Sequence, residues 1–387
     1  MRAGPLEVFV VALRLGVTSF GGPIAHLGYF RTEYVQRRRW LDDDAFAELV
    51  ALGQFLPGPA SSQVGMAIGY VRARLPGAVA GWLGFTLPSA VIMAIFGALA
   101  TGGGVGGDEV WLRALKLVAV AVVLDAVIGM ARRLAATWTT ARIAVASGAA
   151  MLVLPASGLI QVACLLIAAA IGLMFFRVAP TPAADELQVR VPRRAGAAAL
   201  TTFVALLALL PLAAGLGVLA EIADAMYRAG ALVFGGGHVV LPLLEAETVP
   251  GLVSQADFLA GYGVAQALPG PLFTFGTFLG QVAAGVPGAV VGTLAIFLPG
   301  FLILFGVLPF WQQVRSDGRV QAALTAVNAA VVGLLGAAWI DPIVTSSVTS
   351  ALDAGFAAGL FGALSVLRAP PWLVVVAAVL ASPLLGL

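Results

Sequence analysis

Arg14 and Arg228 each interrupt an apolar run, in RLGVTSFGG and RAGALVFGG. A guanidinium is permanently charged and offers forked N–H donors to a two-oxygen edge, so two of them suit a tetrahedral dianion. If the first segment enters an apolar layer near Pro5, Arg14 lies roughly 14 Å deep at about 1.5 Å per residue, close to the middle of a ~30 Å hydrocarbon core. An arginine there costs several kcal/mol unless it is paired or hydrated. The competing reading is that each arginine snorkels to an interface or pairs with an acid such as Glu7, Glu221 or Asp224.

Both arginines precede chain breakers. Phe20-Gly21-Gly22 follows the first and Phe234-Gly235-Gly236 the second, and a further break recurs as Gln54-Phe55-Leu56-Pro57-Gly58-Pro59 and Gln266-Ala267-Leu268-Pro269-Gly270-Pro271. Glycine lets a ligand approach the backbone, and proline removes a donor while fixing the turn. A helix restarting after such a break aims free N–H groups and the positive end of its dipole at the gap, which makes an anion site. The candidate substrate-binding set is therefore Arg14, Phe20, Gly21, Gly22, Gln54, Pro57, Gly58, Ser61 and Ser62, with Arg228, Gly235, Gly236, Gln266, Pro269 and Gly270 from the later copy. Thr18, Ser19, Gln63, Thr274 and Thr277 add hydrogen-bonding capacity, although any one of them could equally serve helix packing. Asp125 and Glu48 are candidate proton relays, against the alternative that such an acid pairs with Lys116 or an arginine near a helix end. His26 and His238 have no neighbouring Cys or carboxylate cluster and do not make a metal site; neither metal nor cofactor is expected.

The elements that position these residues must lie in a membrane. Of 387 residues, 60% are hydrophobic and 10% charged, and the mean hydropathy is +1.02; a soluble chain carries about 25% charged residues. This length has room for about nine to thirteen membrane segments of roughly 20 residues. The basic residues cluster between apolar stretches, which suits loops beside anionic lipid and not a nucleic-acid surface. Cys164 has no second cysteine to bridge to and sits in an apolar run, as a packing residue. Residues Met1 to Val11 lack the features of a removable signal, so the first segment is expected to stay. No G-x-x-x-x-G-K-[ST], H-E-x-x-H or G-x-S-x-G motif occurs, which argues against a P-loop ATPase and against an enzyme.

The chain contains itself twice. Arg14, Gly16 and the first FGG match Arg228, Gly230 and the second, and the two PGP motifs follow in order. Then Pro76-Gly77-Ala78-Val79, Gly81 and Leu87-Pro88 match Pro287-Gly288-Ala289-Val290, Gly292 and Leu298-Pro299. This divides the chain into a first repeat (1–176), a polar cytoplasmic linker (177–196), an extra transmembrane helix (197–220) and a second repeat (221–387). An extra crossing would invert the second repeat. Charge agrees: the loop after the first FGG carries Arg31, Arg37, Arg38 and Arg39, and its counterpart carries Glu245, Glu247 and Asp257. The expected fold is an all-α polytopic membrane protein, an inverted repeat with broken or re-entrant helices. One arrangement puts every basic cluster in the cytoplasm: FGG and PGP segments dip in and return, and residues 77–100, 112–133, 142–154, 158–176, 197–220, 287–310, 321–341, 343–366 and 371–386 cross. The amino terminus is then cytoplasmic and the carboxyl terminus periplasmic. Full crossing by the FGG and PGP segments is the alternative, and it moves Arg72 and Arg74 outside.

RLGVTSFGGPIAHLGYF, the basic stretch before Trp40-Leu41, QFLPGPASSQ, Gly77-Ala78 and LPSA, with the degenerate copies FGGGHVVLPLLE and QALPGP, together resemble the chromate ion transporter family in its long, two-domain form. The resemblance spans essentially the whole chain. It implies chromate efflux across the cytoplasmic membrane and chromate resistance, driven by the membrane potential or a proton gradient, with sulfate as the physiological look-alike. Carried over to this sequence, the matching positions are Arg14, Phe20 to Gly22 and Gln54 to Pro59. The expected partners are the chromate or sulfate anion and membrane lipid, with no nucleic acid; a homodimer is the oligomer kept open. The second copy replaces Pro23 by Gly237 and Ser61-Ser62 by Phe273-Thr274, so the halves need not contribute equally to a site.

Overall fold

A computed structural model describes residues 4–101, 110–154, 158–176, 191–233 and 240–385, and every regular element among them is helical. Five helical stretches are long and apolar enough to cross a membrane, and four shorter apolar helices accompany them. Leu209, Leu212 and Leu216 are among many large aliphatic side chains left facing outward, a surface that only lipid can cover without cost. The chain is an all-α, multi-pass membrane protein.

The first half opens with two hairpins. α1 (Pro5–Thr18) is 14 residues, about 21 Å at 1.5 Å per residue and too short to span the bilayer. It stops at Ser19, and Gly21 and Gly22 take positive φ (95° and 77°) to reverse the chain. α2 (Gly22–Phe30) and a π-helical continuation (Arg31–Arg37) run back, so that Arg38 reaches Glu7 near the start of α1, 3.3 Å away. α3 (Asp43–Phe55), capped by the Asp42 carboxylate on the Ala45 amide, then climbs to the PGP break.

α4 (Ala60–Thr101) counts 42 residues, which as one rod would measure about 63 Å, twice the hydrocarbon thickness. It is not one rod. Ala73 and Arg74 leave helical geometry, with Arg74 at φ 56° and ψ −151°, and the chain folds back on itself. A Cβ on Gly69 would come within 2.2 Å of the Gly77 carbonyl oxygen, and one on Gly77 within 2.1 Å of that of Gly69. The two arms, residues 60–72 and 75–101, therefore touch backbone to backbone. The FGG and PGP segments of this half lie at the turns of helical hairpins. The open ends of both hairpins gather around Trp40, which stacks on Tyr34 and lies beneath the guanidiniums of Arg38 and Arg72.

α5 (Val110–Leu134), α6 (Trp138–Val153) and α7 (Gly158–Phe175) complete the half. α6 begins four residues before the expected 142, because Thr137 and Thr140 form a reciprocal cap. α8 (Arg193–Ala213) is the extra helix; it starts at Pro192 and so takes Arg193 and Arg194 from the expected linker, and Gly217 at φ 146° ends the stretch short of 220.

The second half follows the same order: α9 (Val218–Leu232), α10 (Val240–Thr248), α11 (Gln255–Ala267) and α12 (Phe275–Val307). α12 folds back at Ala284 and Gly285 with dihedral angles close to those at Ala73 and Arg74, and Gly280 meets Gly288 as Gly69 meets Gly77. After a short α13 (Trp311–Ser316), α14 (Gly318–Ala338) passes through a π-helical stretch into a single turn, α15 (Thr345–Ser347). α16 (Ala351–Ser365) and α17 (Pro371–Leu385) close the fold. α16 is shorter than the expected 343–366 because the irregular turn at 339–347 uses up its first residues. The second FGG, with Gly235, Gly236 and His238, lies outside the described residues.

Contacts between halves fix their relative direction. Tyr70, next to the first fold-back, packs on Phe305 at the far end of α12, and Trp82 packs on Phe297 and Phe301. A Cβ on Gly97, at the far end of α4, would sit 2.8 Å from Gln281, next to the second fold-back. The long arms of α4 and α12 thus run antiparallel.

Candidate functional site

Two reciprocal hydrogen bonds join the breaks. The Gly58 amide in the first PGP donates to the Val233 carbonyl at the end of α9, at 2.7 Å, and the Gly270 amide in the second PGP donates to the Ser19 carbonyl at the end of α1, at 2.9 Å. Each half thus inserts its PGP tip against the other half's first broken helix. Gly58 and Gly270 hold positive φ (113° and 92°), and an added Cβ on Gly270 would lie 2.9 Å from Ser89 Oγ. Bare amides and carbonyls at such depth are tolerated where they bond or line a cavity.

The first half brings more buried polar side chains to this junction than the second, which contributes Gln266, Thr274 and Thr277. Ser19, His26, Ser61, Ser62, Gln63, Thr86 and Ser89 of the first half are all buried. His26 Nδ1 lies 3.3 Å from Ser61 Oγ, its ring stands edge-on to Phe85, and it also bonds the Ser19 main chain. Gln63 Nε2 donates to the Pro57 carbonyl at 2.8 Å and to that of Gly300 at 3.3 Å, tying the PGP loop to α12. Ser19 Oγ, His26 Nε2, Ser62 Oγ, Gln63 Oε1 and Thr86 Oγ1 have no hydrogen-bond partner. At matching places in repeat order the second half carries Val233, Val240, Phe273 and Phe275.

Arg14 faces an open groove of about 640 Å³ between the arms of the first hairpin, lined also by Thr18, Tyr29, Thr32, Glu33 and Arg37. Glu33, the groove's acid, is taken by Arg37 at 3.2 Å and Arg38 at 2.8 Å. Arg228 has another fate: it bonds Asp224 at 2.5 Å and Glu247 at 2.7 Å. The expectation that the two guanidiniums act as a pair is corrected here. No second-half residue lines the Arg14 groove, and Arg228 is occupied by two carboxylates. Two differences between the copies go with this: Val10 stands four residues before Arg14 where Asp224 stands four before Arg228, and Glu33, the counterpart of Glu247, is shared with Arg37 and Arg38, where the second copy has Gly251 and Leu252.

The other candidates scatter. Gln54 is exposed on α3, Phe20 packs against Trp372, and Tyr262 bonds the Gln266 side chain. Glu48 is no free relay: it accepts from the Trp311 indole at 2.6 Å and pairs with Arg315, fastening α3 to α13. Asp125 is half-buried on α5 and feels Arg132 two turns along. His26, set aside as a metal ligand in the sequence, sits beside the break junction. Its spacing to Ser61 gives no linear signal, although both lie within the motifs that carry the family resemblance.

Paired helix breaks inside an all-α membrane fold, with donors gathered at the junction, define a transporter-like integral membrane protein. The chain belongs to the chromate transporter family, whose signature matches residues 6–173 and 220–382. A chromate transport protein of Pseudomonas aeruginosa is 31% identical over 92% of this chain and 86% of its own length. One from Cupriavidus metallidurans is 30% identical, over 86% and 81% respectively. A probable chromate transport protein of Synechococcus elongatus is 28% identical, over 84% and 81%. No solved structure matches the chain.

Proposed function

We propose that this protein exports chromate across the cytoplasmic membrane as a secondary carrier and so confers chromate resistance, with sulfate as a competing substrate of the same charge and shape. The observation that carries this reading is the reciprocal joining of broken helices, Gly58 to Val233 and Gly270 to Ser19, within a family named for chromate transport. The antiparallel long arms of α4 and α12 support an inverted repeat, whose halves can rock about the junction to open it to each side in turn. A dianion leaving a negative-inside cell gains about 4.6 kcal/mol per 100 mV, twice the ~2.3 kcal/mol of a single charge. Outward movement therefore needs no other driving force.

Arg14 acts alone in this reading, drawing the anion into the groove that climbs from Arg37 to Thr18 beneath the junction. Everted membrane vesicles test the proposal. They should accumulate chromate saturably, with inhibition by sulfate, and Arg14→Gln should remove most of that flux while the protein stays inserted. Absence of saturable accumulation by the unmodified protein would dispose of the carrier reading, and an unchanged rate in Arg14→Gln would dispose of the groove as its route.

A further inference from the structure

We infer that the oxyanion is bound by the first half alone, in a site formed by Ser19, His26, Ser62 and the free amides that open the α4 helix at Ala60; this deepens the carrier reading and rests on it. α4 starts directly after Pro59, and its first intrahelical bond is Gln63 N–H to the Pro59 carbonyl. The amides of residues 60–62 precede that bond and have no intrahelical acceptor, and Pro59 has no side-chain oxygen to cap them. They form a cluster of positive partial charge at the junction.

Three unpartnered side-chain atoms give the independent sign of a ligand. Ser19 (0% exposed), His26 (1%) and Ser62 (2%) are buried, and Ser19 Oγ, His26 Nε2 and Ser62 Oγ are without hydrogen-bond partners. Their residues meet at the junction: His26 touches the main chain of Ser19 and the side chain of Ser61, which precedes Ser62 in the first turn of α4. A buried donor left unpaired destabilises a fold, so unpaired groups on three segments that meet at the junction point to a partner that arrives from outside. Hydroxyls and backbone amides are donors, His26 Nε2 joins them in the tautomer whose Nδ1 accepts from Ser61 Oγ, and a fully ionised tetrahedral oxyanion supplies only acceptors. The second half lacks the set: at the corresponding positions Val233, Val240 and Thr274 appear, and Thr274 Oγ1 already bonds the Pro271 carbonyl. The copies have diverged into a half that binds and a half that closes.

The test is equilibrium dialysis of radiolabelled chromate with purified full-length protein in detergent, alongside the thermal unfolding temperature of each ligand-free variant. Ser62→Ala and His26→Phe should each weaken binding tenfold or more; in Ser62→Ala the unfolding temperature should stay level or rise because an unpartnered polar atom has gone, whereas His26→Phe also gives up the contact with Ser61 Oγ. His26→Gln keeps an N–H donor and should recover part of the affinity. Unchanged affinity in Ser62→Ala and His26→Phe would overturn the proposal, as would affinity lost only in step with stability. If His26→Phe does not fold, Ser19→Ala and Ser62→Ala carry the same comparison. Absence of chromate flux in vesicles of the unmodified protein would count against the carrier reading itself, so the two failures are separable.

Discussion

At position 10 the first copy has valine where the second has aspartate, and that difference removes one of the two acidic partners Arg228 has from the surroundings of Arg14. One helical turn separates residues four apart, close enough for an ion pair, and Arg228 uses it with Asp224 while Arg14 has only Val10. Giving Arg14 the same partner should silence it. Val10→Asp is expected to lower chromate flux by about tenfold, the effect of roughly 1.4 kcal/mol, whereas uncharged Val10→Asn should transport near the normal rate at equal expression. Equal flux in the two variants would deny Arg14 its role as a free cation. The Asp224 pairing was legible in the sequence only as one of three nearby acids, with Glu7 and Glu221, that could replace a clamp. Glu247 as a second partner was not, nor was the capture of Glu33 by Arg37 and Arg38. The Arg228–Glu247 pair depends on how far the hairpin returns, which no local pattern encodes, and the Glu33–Arg38 pair on the π-helical winding of residues 31–37.

Among the elements, the fold-backs of α4 and α12 share a geometry and an alanine but differ at the second turn residue. Arg74 holds φ 56° and ψ −151°, a region that only glycine enters freely, and its counterpart at φ 63° and ψ −155° is Gly285. A non-glycine residue there costs about 1–3 kcal/mol. Arg74→Gly should relieve that strain, less the extra chain entropy of glycine and the Arg74–Tyr70 contact. A net stabilisation of about 1 kcal/mol is expected, seen as a higher unfolding temperature in detergent. Gly285→Ala has open space around its Cβ, so any loss of stability reports backbone strain alone; no loss would show that the reversal is not strained. The hairpins themselves were legible, because paired Gly and Pro motifs recur in order and the basic clusters fit one side only if the chain returns. The early start of α6 and the late start of α16 were not, since each depends on caps and irregular turns that hydrophobicity does not register.

Over the whole molecule, the antiparallel long arms of α4 and α12 bear on direction and mechanism together. If the halves are inverted, their hairpins open to opposite compartments: the basic end around Trp40 to the cytoplasm, and the acidic end around Glu245 and Asp257 to the outside. The composition fixes the membrane, and the duplicated motifs fix the repeat; inversion rested on one extra crossing and on loop charge, because equivalent helices read the same in either direction. Accessibility can decide it. In a Cys164→Ala background, Gln36→Cys and Gly251→Cys place single thiols on exposed positions at the two hairpin ends. A membrane-impermeant maleimide added to intact cells should label Gly251→Cys and leave Gln36→Cys unlabelled until the cells are opened. Labelling of both from one side would mean parallel halves, and rocking about the Gly58 and Gly270 junction could not then expose the site alternately to the two compartments.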